Sequence, residues 1–307
     1  MWLRDSTNQV NPYHELATQD PALQALLRGL INRQTACLLL DVYANAFNVD
    51  ASAAPFETSD VSTKPAFLGT RTNALSGAIW ERKYELDSLC ACLRLSSRYY
   101  ETTQDAAPFA SPDWERAMGL VLDTMVEQQK GSAEDSTPEY MFQRPALEPT
   151  DSLAHAVGLP VRRTGLIKSA FRPSDDATTY RFLVPANAYA VVSLRKLAVL
   201  LRIDALRSPT REVLALRAES LAKEVQAAIE EHAVVDHPKH GRVYAYEVDG
   251  YGNVLFMDDA NVPSLLSLPY LGFVDASDLT YKRTRAMLLD EESNPWCLSA
   301  QTFLLVH

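Results

Sequence analysis

No stretch of this 307-residue chain approaches the roughly 18 consecutive apolar residues that a membrane span requires, so no membrane span is expected. Positive charge is also scarce. Lys and Arg number 29 against 39 Asp and Glu, a formal net charge of -10, which argues against nucleic acid or an anionic membrane surface as the main partner. A neutral ligand is the easier partner. The four cysteines, Cys37, Cys90, Cys92 and Cys297, show no C-x-x-C spacing and read as free, mostly buried thiols, with Cys90 and Cys92 pointing apart on one helix. They leave the compartment open. The opening Met1-Trp2-Leu3-Arg4-Asp5-Ser6 has neither the apolar core nor the cleavage site of a secretion signal, and it starts inside what reads as a functional loop. The expectation is that the true amino end is missing, so localisation is unknown. Metal-ligand spacing is absent too. His232, His237 and His240 are separated irregularly and by Pro238, which reads as a surface loop. Asp249-Gly250-Tyr251-Gly252-Asn253 lacks the twelfth-position glutamate of a calcium loop and reads as a hairpin turn. No metal and no cofactor are expected.

Nearly half of the chain is apolar, which supports a sizeable core in one large domain or two ordinary ones. The apolar positions Leu23, Leu26, Leu27, Leu30, Ile31, Leu38, Leu39 and Val42 recur at three- and four-residue steps and predict a helix over 21–47. Residues 48–73 read as a surface connection, and further helices are predicted over 84–99 and 111–129, the latter begun by Ser111-Pro112-Asp113. Residues 130–156 read as a removable surface insertion with a strand or turn at Tyr140-Met141-Phe142. Helices over 185–204 and 208–232 should pair antiparallel, and 243–257 reads as a hairpin around Asp249-Gly250, with Glu247 and Asp249 as polar positions on a half-exposed hairpin. Helices over 258–271 and 278–289 complete the set. With no alternating strand and helix units, and no fixed repeat of about 30 to 45 residues, the chain reads as all-α helix hairpins closing into a toroid.

Four segments share one mixture of aromatic, carboxylate, arginine and amide side chains: Trp2 to Gln9, Trp80 to Asp87, Phe171 to Asp176, and Tyr244 to Asn261. Aromatic faces cover the C–H face of a pyranose, and carboxylates, amides and arginine engage its hydroxyls. The densest of these runs is Ser169 to Tyr180, where Pro173 stops any incoming helix and Ser174 or Asp175 is placed to cap the next. Asp175 and Asp176 fit a plain helix cap, and they equally suit a glycosidase acid, since adjacent carboxylates repel each other's charge.

Trp-Leu-Arg-Asp-Ser from Trp2, Trp-Glu-Arg-Lys-Tyr-Glu-Leu-Asp-Ser from Trp80, Phe-Arg-Pro-Ser-Asp-Asp from Phe171, and Tyr-Glu-Val-Asp-Gly-Tyr-Gly-Asn from Tyr246 resemble glycoside hydrolase family 125, as does Met-Asp-Asp-Ala-Asn-Val-Pro-Ser from Met257. The resemblance runs from Met1 to about Trp296. It implies an (α/α)6 toroid with a small β-hairpin insertion, and an exo-acting, inverting α-1,6-mannosidase that uses no catalytic metal and takes mannose-containing oligosaccharides. It places the general acid in the Asp175-Asp176 pair, without deciding between them. It suggests Arg4, Asp5, Arg172, Asp258 and Asn261 as mannose-binding residues. The family's general base is a glutamate beyond the segment starting Asn294-Pro295, whereas here the sequence runs Cys297 to His307 without the family's pattern. The expectation is therefore a partial catalytic domain over 1–296, a non-family tail over 297–307, and activity impaired by loss of the base. The remaining candidates for the base are Glu81, Glu85, Asp258 and Asp259. The alternative is a degenerate mannose- or glycan-binding protein without turnover.

Overall fold

Helix starts divide this chain into two classes. In four helices a proline or a short polar side chain sets the first turn: Asp20 before α2 (Pro21–Leu40), Ser111 before α4 (Pro112–Glu127), Ser208 before α6 (Pro209–His232) and Asp278 before α8 (Leu279–Leu288) each accept a hydrogen bond from a first-turn N–H. The other four, α1 (Leu3–Val10), α3 (Leu86–Thr103), α5 (Val184–Leu201) and α7 (Leu268–Leu271), begin with no side-chain cap. The structure is a computed structural model, which describes residues 1–49, 60, 77–136, 138–145 and 148–292.

Apart from α8, which packs on the strand Gly241–Tyr244, the two classes are two layers. The uncapped helices pack side by side in the order α1, α3, α5, α7, while α2, α4 and α6 pack in a second row outside them, and α5 with α6 forms the most extensive helix pair. The inner row is the more buried: α3 and α5 hide nearly every side chain, including Leu86, Leu89, Leu93, Leu95, Leu194, Leu197 and Leu201. α5 is long and apolar enough by composition to cross a membrane, yet most of it is buried inside the fold. Alternate inner and outer helices are the arrangement of a toroid of hairpins, as expected from the sequence.

Strands are short and sit between helices. β1 (Ala46–Phe47) pairs antiparallel with β2 (Ile79–Glu81); β6 (Glu247–Val248) lies between β3 (Phe182–Leu183) and β7 (Val254–Leu255); β4 (Val234–His237) pairs with β5 (Gly241–Tyr244). The single hairpin predicted over 243–257 is thus two, because β5 turns back on β4, and only β6 and β7 flank the Asp249-Gly250 turn. In that turn Asp249 Oδ1 accepts from the N–H of Tyr251 and Asn253, and Gly250 is required: its φ is 78°, and a Cβ there would lie 2.6 Å from Arg162 O.

Several boundaries differ from the sequence reading for physical reasons. Residues 3–10, read as a loop, form α1, which is tied to its neighbours by Thr7 Oγ1 donating to Ala91 O and Gln34 Nε2 donating to Leu3 O. α2 ends at Leu40, not Phe47, because Asp41 is extended and Phe47 is needed in β1. Ser174 and Asp175 cap no helix; α5 starts at Val184, after β3. The predicted helix over 258–271 shrinks to Leu268–Leu271. Residues 130–156 are not removable, since Tyr140 and Phe142 are buried and Tyr140 Oη bridges the backbone, accepting from Tyr84 N and donating to Arg82 O. The predicted connection over 48–73 and the tail over 297–307 fall largely or wholly outside the described residues.

One side chain carries the approach to the inner loop. Asn187, fully buried on α5, accepts from Ile167 N (2.8 Å) and donates to Ile167 O and Leu183 O (2.9 Å each). Asn187→Ala strands both Ile167 backbone groups, and a loss of roughly 3 kcal/mol in urea unfolding is expected.

Candidate active site

The uncapped starts of the inner helices lead into one cluster. Arg4, in the first turn of α1, donates through Nη1 to Glu85 Oε2 (2.8 Å) and Asp87 Oδ2 (3.0 Å), and through Nη2 to Pro173 O (2.9 Å). Glu85 immediately precedes α3 and Asp87 is its second residue, so positive helix ends face the carboxylates. Both acids are buried, and Glu85 Oε1, Asp87 Oδ1 and Asp175 Oδ1 are buried oxygens with no hydrogen-bond partner. Burial drives the pKa of Glu85 and Asp87 upward against the pull of Arg4; Asp175 adds to the rise in both, and Asp87 adds to it in Glu85. Burial opposes the charge on Arg4, yet the two flanking carboxylates hold it above its ordinary value.

Asp175 sits at the tip of a tight turn with φ 67°, a left-handed conformation that Asp tolerates better than most residues. Its N–H donates to Arg172 O (2.9 Å), and its own carbonyl accepts from the buried Lys83 Nζ (2.8 Å), which also lies over the Phe171 ring. Asp176 is engaged differently: its Oδ2 accepts from Arg172 Nη2 (2.8 Å) and Ser174 Oγ (3.1 Å). Arg172 also stands 3.6 Å from Asp259 Oδ2, which Tyr246 Oη contacts at 3.4 Å. Arg4, Arg172, Asp175 and Asp176 therefore belong to one neighbourhood, joined to the segment after β7 through Asp259.

The other residues expected from the sequence have different employment. Asp258 is half-buried and accepts from the N–H groups of Leu265 (2.7 Å) and Leu266 (2.9 Å); desolvation lifts its pKa to about 6 against those bonds. Asn261 is exposed and folds back on Asp259 Oδ1, and Asp5 is exposed on α1. Glu81 pairs with Arg144 (2.8 Å). Sequence reasoning missed Asp87 and Lys83 as individual residues, and it named Glu85 only as a substitute base. The Glu-x-Asp pair at a helix start was the available signal. Glu247, read as a polar position on a half-exposed hairpin, is 1% exposed. Its Oε2 accepts from Thr179 N and Tyr180 N (2.9 Å each), and burial lifts its pKa to about 7 against those two bonds and Arg172. Trp80, at 39% exposure, is no core residue, and Trp2 is half-buried.

Over residues 1–305 the chain matches the family described as metal-independent alpha-mannosidase (GH125). The chain belongs to glycoside hydrolase family 125. It is 40% identical over 316 aligned positions to the meiotically up-regulated gene 157 protein of Schizosaccharomyces pombe, covering 98% of this chain and 58% of that protein. It also superimposes with a TM-score of 0.86, at 37% identity, on a metal-independent α-mannosidase of Streptococcus pneumoniae solved as a non-productive substrate complex with α-1,6-mannobiose, covering 96% of this chain and 65% of that one. The chain thus spans less than two thirds of the length of either. The family 125 fold of that neighbour agrees with the two-layer helical arrangement described above.

Two solution tests follow from this electrostatics. Arg4→Met leaves Glu85 and Asp87 buried without a cation; a loss of roughly 3–5 kcal/mol at pH 7 is expected, with part regained at pH 5, where protonation relieves the repulsion, read by urea unfolding. In the unaltered chain Glu247 and Asp258 rise from 4.5 and 3.8 to about 7 and about 6. The native state then binds these protons more tightly than the unfolded chain. Their contribution to stability is present at low pH and is lost as pH rises through that window, so the urea midpoint of Glu247→Gln should depend less on pH between about 5 and 7 than that of the parent.

Proposed function

We propose that this chain acts as an exo-acting glycoside hydrolase that releases mannose from α-1,6-linked mannosides, N-glycans included, with inversion. The observation that carries the reading is the group of unpartnered, buried carboxyl oxygens on Glu85, Asp87 and Asp175, with Glu247 Oε1 as a fourth at the far end of the same segment. Buried acceptors without donors are costly, and the hydroxyl groups of a sugar supply donors. Family membership and the mannobiose bound by the Streptococcus pneumoniae neighbour support mannose as that sugar.

Asp175 is the proposed general acid. Its Oδ1 is uncommitted among like-charged neighbours, whereas Asp176 is tied to Arg172 and Ser174. In this reading Asp175 hands its proton to the departing glycosidic oxygen as the C–O bond breaks, while water attacks the anomeric carbon from the opposite face. Arg4 holds Glu85 and Asp87, whose second oxygens receive sugar hydroxyls. Arg172, Asp5, Asp258 and Asn261 are proposed to contribute further around the mouth, with Asp258 acting through the turn it caps.

Inversion requires a second carboxylate about 6.5–9.5 Å from the acid to activate water. Glu85 and Asp87 are buried and bound to Arg4, and Asp258 holds two backbone N–H groups, so none of these three is free for that task. This favours, as a second reading, a mannose-binding protein without turnover. Incubation with α-1,6-mannobiose, followed by NMR, separates the two: release of β-mannose first supports the hydrolase, and calorimetric binding without release supports the binding protein. If turnover is present, Asp175→Asn should lower kcat by roughly 10²–10⁴-fold with binding retained, and Asp176→Asn by less; the reverse order moves the acid to Asp176.

A further inference from the structure

The turn bearing Asp175 is gripped through its backbone by side chains from elsewhere in the fold. Lys83 Nζ donates to the carbonyl of Asp175 itself (2.8 Å), and Lys83 is only 3% exposed. Glu247, on β6, reaches the far end of the same segment and accepts from two consecutive amides, Thr179 and Tyr180. The strand pairs Phe182 with Val248 and Leu183 with Glu247 extend that attachment into α5. Between these two anchors the chain enters a left-handed conformation at Asp175 that a free loop would relax. Glu247 Oε1, like one oxygen each of Glu85, Asp87 and Asp175, is buried without a hydrogen-bond partner, while its Oε2 holds both amides.

We propose that Lys83 and Glu247 are positioning residues that clamp the 172–180 segment from its two ends and so aim the Asp175 carboxyl at the site. The role rests on the reading of Asp175 as the acid, but the clamp is a structural claim with its own readout. Lys83 fixes the peptide that carries the acid, and Glu247 Oε2 fixes the exit of the turn, so loss of either loosens the placement of Asp175 Oδ1; Glu247→Gln keeps that grip and separates it from any part played by Glu247 Oε1. A misplacement of about 1 Å costs on the order of 100-fold in rate.

The test compares Lys83→Met with Lys83→Arg, and Glu247→Ala with Glu247→Gln, in the full chain. Amide hydrogen exchange is read at Asp175, Thr179 and Tyr180, together with kcat and KM for α-1,6-mannobiose. In Glu247→Ala, exchange at Thr179 and Tyr180 should rise at least about tenfold while α5 stays protected. In Glu247→Gln, whose amide oxygen still accepts both N–H groups, it should stay near the parent value. Lys83→Met should lower kcat by about 10–100-fold with KM changed by less than about threefold, and Lys83→Arg should recover most of that loss. Unchanged exchange at 179 and 180 in Glu247→Ala, or a loss of protection spread through α5, overturns the clamp. So does a Lys83→Met effect confined to KM. If the parent chain does not turn over mannobiose, the hydrolase reading fails while the exchange results still decide the clamp. If Glu247→Ala does not fold, the Lys83 pair decides it by exchange at Asp175.

Discussion

A single guanidinium joins three distant pieces of chain. Arg4 comes from the first helical turn, Glu85 and Asp87 from the start of α3, and Pro173 from the turn before α5. Arginine suits this position because its planar donors satisfy several acceptors at fixed angles and it keeps its charge when buried, where a lysine would surrender its proton more readily. The desolvation of two carboxyl groups is tolerable only because this cation is present. Placement of the inner helix starts and the location of Asp175 descend from that contact, which also counteracts the rise in proton affinity that burial imposes on both acids.

The two layers divide the labour. The outer helices α2, α4 and α6 close their own first turns with Asp20, Ser111 and Ser208, and they pack against the inner row with ordinary apolar faces. The inner helices leave their first turns without such caps, and the chain entering them supplies the polar groups instead: Arg4, Glu85, Asp87 and the 172–176 turn. Carboxylates placed at these ends meet the positive end of the helix dipole, which offsets part of the cost of grouping them.

Much of this was legible in the sequence, and the exceptions have causes. The long outer helices were readable because proline with Ser or Asp at their starts is a local signal that needs no tertiary context. α1 was not: its eight residues are mostly polar, and it is held by packing and hydrogen bonds to α2 and α3 that no local pattern encodes. Tyr140 and Phe142 looked exposed because their neighbours are polar, yet Tyr140 satisfies two backbone groups at the core. Within the site, Arg4, Arg172, Asp175 and Asp176 were found through motif resemblance. The different hydrogen bonding of Asp175 and Asp176 was not, since it depends on backbone direction at one left-handed residue. Glu247 was misjudged because a short strand with turn residues reads as surface until its partners on both sides, β3 and β7, are seen.

The missing caps of the inner row set a bound on how far this fold can be hardened. Routine stabilisation of helical proteins adds Ser, Thr or Asp at helix starts, but the outer row is already so equipped. On the inner row the equivalent positions hold Trp2, next to Arg4, Glu85, which Arg4 holds, and Leu183, which pairs with Glu247. Thermostability engineering is thereby steered to the solvent-facing sides of the outer helices, and selection for heat resistance would collide with ligand recognition wherever it reached the inner ends.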